Sequence, residues 1–154
     1  MSISIIRKIL AKKNESDFTK AGFLSGIFAG IIIGIFTFGI YIINKKKYFE
    51  EIDSIKNIVQ FPVPNETIWI ISIILTPPVI VIIYSIVGII LGSLFKTFEG
   101  KNWLIIIFSF LIGIIWGTIT NLPVSKIFII IINILSWLLF GIIFILLTYR
   151  KKGK

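Results

Sequence analysis

Gly22-Phe-Leu-Ser-Gly26-Ile-Phe-Ala-Gly30-Ile-Ile-Ile-Gly34 carries four glycines at a strict spacing of four, inside an apolar run over residues 21–43. At a rise of 1.5 Å per residue, about 20 such residues cross the hydrocarbon core of a bilayer as a helix. Spaced by four, the glycines share one face of that helix. A face without side chains lets a second helix come to backbone contact. The stretch therefore predicts a membrane-spanning helix with a packing face. Apolar stretches follow at 68–95, 103–119 and 127–148, and two of them repeat the glycine spacing, at Gly88 and Gly92 and at Gly113 and Gly117. The expected fold is an all-α integral membrane protein. It is a four-transmembrane-helix bundle with glycine-mediated packing, a proline-broken second span and short interfacial amphipathic helices.

Composition agrees with this class. The chain has 154 residues, 56% of them hydrophobic, and a mean hydropathy of +1.03, outside the range of soluble domains. It contains no cysteine and no histidine. Disulfides, thiol catalysis and most zinc or haem sites are thereby excluded, along with the usual general base near neutral pH. No catalytic residue, metal ligand or cofactor site is expected. The net charge of +9 sits at span ends and in loops, which reads as topology and contact with anionic headgroups. The expected partners are the lipid bilayer and either a second copy of the chain or another membrane protein, with no nucleic acid.

Taken in order, residues 1–20 form a basic N-terminal segment with Arg7, Lys8, Lys12, Lys13 and Lys20. Ile5, Ile6, Ile9 and Leu10 recur there at helical spacing, which predicts a short interfacial helix. The apolar run behind it is too long for the core of a cleavable signal, lacks an A-x-A site, and ends in Lys45, Lys46 and Lys47. Tyr48, Ile52, Ile55 and Val59 then fall on one helical stripe, the pattern of an amphipathic helix lying on the membrane or capping the bundle. Phe61-Pro62-Val63-Pro64 ends it. In the second span Pro77 and Pro78 cannot donate to the carbonyls of Ile73 and Ile74, so a break is expected there. The membrane domain covers 21–149, and 150–154 form a basic tail.

Four spans put both termini on one side. Eleven basic residues lie on that side against five on the other, which predicts cytoplasmic termini in the cell membrane.

Chemistry-bearing residues are sparse. No charged residue lies inside an expected span, so the usual mark of a proton relay or ion-coupled transporter is missing. Ser25, Ser72, Ser85, Ser109 and Ser136 have no base to activate them. Asn65-Glu66-Thr67 matches a short glycosylation acceptor pattern. One polar layer stands out: Thr37, Thr76, Pro77, Pro78 and Asn133 fall at a common depth, roughly 9 Å below one interface at 1.5 Å per residue. There the Asn133 amide is expected to donate to a carbonyl freed by the prolines, as structural glue ahead of a binding site. The expected function is a non-enzymatic small subunit or stabilising partner of a membrane complex. The alternatives are a small oligomeric transporter or channel with a polar path near Pro77-Pro78 and, more weakly, a membrane enzyme.

Overall fold

No proline occurs before position 62, and the first helix, α1 (Ile3–Ile43), runs unbroken through 41 residues. The computed structural model describes residues 3–59, 62–99, 101–120, 122 and 124–149, with side chains for 17–56, 62–99, 101–120, 122 and 124–148. The basic segment and the first span, expected as separate helices, are one continuous helix. Asn14-Glu15-Ser16-Asp17-Phe18 between them holds neither glycine nor proline, so nothing stops propagation once the apolar part is helical. The stripe from Ile5 to Leu10 lies outside the described side chains.

A single turn residue, Asn44, separates α1 from α2 (Lys45–Val59). Its backbone N–H and its side-chain Nδ2 both donate to Ile40 O, at 2.9 and 3.1 Å. Then come α3 (Asn65–Phe95), a 3-10 turn over Lys96–Phe98, α4 (Asn102–Ile119) and α5 (Lys126–Tyr149). The described residues are 92% helical and include no strand. Four helical stretches are long and apolar enough to cross a membrane: Asp17–Ile43, Asn65–Phe98, Asn102–Ile119 and Lys126–Thr148. This is the plan of a multi-pass membrane protein.

The expected break in the second span is instead a proline pair inside one unbroken helix. Lipid offers no hydrogen bonds to an unwound backbone, which favours keeping the rest of the ladder intact around two missing donors. The neighbouring helix also makes room. Gly34 faces Pro77, and a methyl group added at Gly34 would stand 3.4 Å from Pro77 Cβ.

Helix contacts run in the order α3, α1, α5, α4. Pairings between Gly22 and Gly92, Gly26 and Ser85, Gly30 and Val81, and Gly34 and Pro77 make α1 and α3 antiparallel. The backbones come very near: a methyl group on Gly22 would meet the carbonyl of Gly88, and one on Gly30 would lie 2.8 Å from Val81 Cα. The α4–α5 pair repeats this, with Gly113 2.6 Å by the same measure from Ile134 Cα and Gly117 2.6 Å from Ile130 Cα. Ser136 on α5 donates to Ala29 O on α1 at 3.1 Å and ties the two pairs together. Among the described residues α3 and α4 make no comparable seam and meet through side chains, as where Tyr84 and Trp116 lie 6.0 Å apart.

The core is aromatic and lies towards the end where α1 begins and α5 finishes. Trp137, Phe140, Phe144, Phe95 and Tyr84 are almost fully buried there, with Phe18 beside them.

Candidate functional site

Thr37, Tyr41, Thr76, Tyr84 and Asn133 of the spans line one cavity of about 290 Å³, while the buried Ser25, Ser85, Ser109 and Ser136 are not among its lining. All four spanning helices line it, and Leu122 from the α4–α5 turn joins them. Thr37 and Tyr41 enter from α1, Thr76 and Tyr84 from α3, Thr120 from the cap at the end of α4 and Asn133 from α5. The remaining wall is aliphatic and aromatic. No charged side chain lines it.

Each polar group reaches this place for a local reason. Thr37 is three residues beyond Gly34, so it faces inward just past the close contact between α1 and α3. Tyr84 opens the buried face of α3 that continues through Ser85, Gly88, Leu91, Gly92 and Phe95. A buried tyrosine needs a partner for its hydroxyl, and it finds one in Asn133, donating to Oδ1 at 3.0 Å. The tyrosine ring stacks on Trp137 with centroids 4.7 Å apart and planes 19° apart. Trp116 packs edge-on from the other side. Tyr84, Trp116 and Trp137 thus form a floor that separates the cavity from the aromatic core.

Asn133 points at the second span, through a different contact from the expected one. Its Nδ2 donates to Ile129 O within α5, at 2.9 Å, rather than to a carbonyl freed by the prolines. The physical reason is proximity, since the i−4 carbonyl on the same turn is always within reach of a short polar side chain. The structure brings Thr37, Thr76 and Asn133 of the sequence-derived polar layer into one cavity. It does not bring Pro77 and Pro78 there. With Gly34, Ile31, Ile35, Phe38 and Val81 they line a separate, wholly apolar groove of about 460 Å³ on the outer side of the α1–α3 pair.

The glycines singled out by spacing, Gly22, Gly26, Gly30, Gly34, Gly88, Gly92, Gly113 and Gly117, all have another helix within 4 Å of where a side chain would begin. Gly39 has nothing within that distance. Sequence reasoning passed over Gly141, which faces Ser109 Oγ at 2.6 Å by the same measure and extends the α4–α5 contact by two turns. It also passed over Tyr84. The signal was present, since Tyr84 is the one tyrosine of four placed in the middle of an apolar run.

At the end away from the termini, α2 folds over the start of α3. Tyr48 and Ser72 share a hydrogen bond, and Trp69 Nε1 donates to Tyr41 O at 3.1 Å. Lys45 Nζ sits 4.3 Å from the Trp69 ring centroid and 3.7 Å from Glu66 Oε1. Asn65, of the glycosylation pattern, accepts from Lys56 Nζ and donates to Asp53 Oδ1 at 2.6 Å.

Chemically the cavity offers hydroxyls, one carboxamide and aromatic edges in a low-dielectric setting. Such groups can donate and accept hydrogen bonds without carrying a charge. Among the described residues no three His, Cys, Asp or Glu side chains gather to hold a metal ion. No family model matches this chain, and neither a curated protein nor a solved structure matches it.

Proposed function

We propose that this chain is a non-enzymatic multi-pass protein of the cell membrane, serving as a small subunit or stabilising partner of a membrane complex. The observation that carries this reading is the apolar groove between Gly34 and the Pro77-Pro78 pair, on the outer face of the α1–α3 pair. A glycine beside a proline ring leaves a concavity, and a transmembrane helix of another protein can set an apolar ridge into it. Around the groove, no described residue of α3 before Tyr84 is buried within this chain. Within the protein, glycine-mediated helix packing holds the bundle, and α2 lies as an amphipathic helix along the membrane surface. The basic-residue count favours termini in the cytoplasm and α2 outside.

Purification in mild detergent, followed by native mass measurement, tests the reading. A reproducible co-purifying membrane protein, crosslinked from a photoreactive side chain at Ile35, supports it. A lone monomer whose Ile35 crosslinks only lipid refutes it. Orientation is read separately, by cysteines at Ser2 and Ser54 probed with an impermeant thiol reagent in intact cells. Labelling at 54 alone agrees with cytoplasmic termini, and labelling at 2 alone reverses the topology.

The polar cavity favours a second reading, a small oligomeric transporter or channel. Solute flux into liposomes holding the purified protein, lost on filling the cavity with Ile80→Trp, would put that reading first.

A further inference from the structure

Thr37 is 4% exposed, lines the cavity, and makes no hydrogen bond among the described residues. A buried threonine on a membrane helix ordinarily satisfies its hydroxyl on the carbonyl one turn back. Thr120 and Thr148 do so here, on Trp116 O and Phe144 O at 2.8 and 2.9 Å. Thr37 holds its hydroxyl free at the cavity wall instead. Asn133 adds capacity across the cavity. Its amide has two N–H donors and an oxygen with two lone pairs, and the bonds to Ile129 O and from Tyr84 take only one of each. Both groups open onto the cavity, so a polar group entering it would meet a free hydroxyl and spare amide capacity.

The wall then selects the ligand. With no charged side chain lining the cavity, neither a cation nor an anion would find a counter-charge, and burying one unpaired is unfavourable. The aliphatic and aromatic remainder suits a hydrocarbon body. The volume of about 290 Å³ sits at the lower edge of small-molecule pockets, roughly 300–1,000 Å³. That is room for a head group and the first part of a chain. The fold also supplies a way in. α3 and α4 do not close on each other by backbone packing, and the cavity lies between them, in front of α1 and α5. On α3, Val79 and Ile83, 47% and 38% exposed, belong at once to the lining and to the outer surface. The aromatic floor shuts the other end, so the cavity does not run on through the protein.

We infer that this cavity is a binding site for a neutral amphiphile from the membrane. The ligand has an uncharged hydroxyl or ester head group, hydrogen-bonded by Thr37 and Asn133, with its chain leaving between α3 and α4 into lipid.

The full-length protein in phosphatidylcholine vesicles tests this with a monoacylglycerol carrying a diazirine in its acyl chain. A carboxylate and a trimethylammonium of equal chain length serve as charged counterparts. Saturable adducts on cavity residues such as Ile83 and Ile132 are expected, displaced by unlabelled monoacylglycerol and not by either charged amphiphile. Thr37→Val keeps the side-chain shape and should weaken half-saturation roughly 2- to 10-fold, the worth of one hydrogen bond. Ile80→Trp should abolish the cavity adducts. Thr37→Val gives up no protein hydrogen bond and serves alone if Ile80→Trp fails to fold. Adducts spread evenly over outward residues such as Ile35 and Ile115, without saturation, would overturn the inference. So would unchanged binding in Thr37→Val, or displacement by the trimethylammonium, which would make the cavity a cation site.

Discussion

The two ends of this bundle are built from similar residues and packed to opposite effect. Towards the termini, Trp137, Phe95, Phe140 and Phe144 are almost completely buried, and the Phe18 ring packs tilted against Phe144. Towards α2, the same four helices enclose a cavity with threonines on its wall. The division is sharpest along α3. Every buried residue of that helix lies at or after Tyr84, and none lies in the stretch holding Pro77 and Pro78. Isoleucine cannot account for the difference, since it is abundant in both halves. Ring size does, together with backbone distance. Gly22 and Gly26 lie where α1 and α3 approach to backbone contact at the terminal end, and large rings fill the space against α5. Where the rings stop, aliphatic side chains do not reach across from α3 to α4, and space remains.

The largest expected effect comes from forcing the close end apart. Gly26→Leu must displace the backbone of Tyr84 and Ser85, and it should abolish the folded monomer in detergent. Gly39→Leu, at the open end with nothing within 4 Å, should leave thermal stability unchanged or slightly raised, given leucine's better helix propensity. Equal losses from the two would erase the distinction between the ends.

Next comes removal of a core ring. Trp137→Ala should cost about 3–5 kcal/mol by the standard of large-to-small core changes, read as loss of unfolding free energy in mixed micelles. Ile80→Ala, on the cavity wall, should cost well under half of that, because a cavity already borders the side chain and fewer dispersion contacts are lost. A similar cost for both would mean that the open end is packed as tightly as the filled one.

The floor between the ends has a smaller worth. Tyr84→Phe keeps the stack on Trp137 and removes the bond to Asn133, so a loss of about 0.6–2 kcal/mol is expected. Double-mutant coupling with Asn133→Leu, measured in the same micelles, isolates it. Zero coupling would show that stacking alone forms the floor.

The smallest effect on stability belongs to Thr37→Val. Thr37 has no protein hydrogen bond to lose, so the change should stay within about 0.5 kcal/mol while amphiphile binding falls. A large destabilisation would mean that the hydroxyl is a structural group after all.

Much of the membrane plan could be read from residue order alone. Twenty-odd apolar residues bounded by lysines define a span whatever surrounds them, because the bilayer sets its length. Gly22, Gly26, Gly30 and Gly34 announced a bare helix face by spacing alone, since spacing of four is a property of a single helix. The candidate site was half legible. Counting residues put Thr37, Thr76 and Asn133 at one level, and all three line the cavity. Their company did not follow from counting. Whether Asn133 meets a proline-freed carbonyl or the Tyr84 hydroxyl depends on how α3 turns about its axis, and no one-dimensional pattern carries that rotation.

What the amino-acid order determined by itself was therefore the number and approximate place of the spans, together with the small-residue face of α1; it did not show that the first span continues the N-terminal helix without a break. Those quantities depend on local chemistry and on the thickness of the bilayer. Only the tertiary structure decided that α3 passes through Pro77 and Pro78 unbroken, with Gly34 making room for the ring. It alone turned the prolines outward to a lipid-side groove, and Thr37 and Asn133 inward to a cavity. The physical reason is that facing is a relation between helices. It is settled by which close contacts the glycines permit and which gaps the aromatic rings can fill.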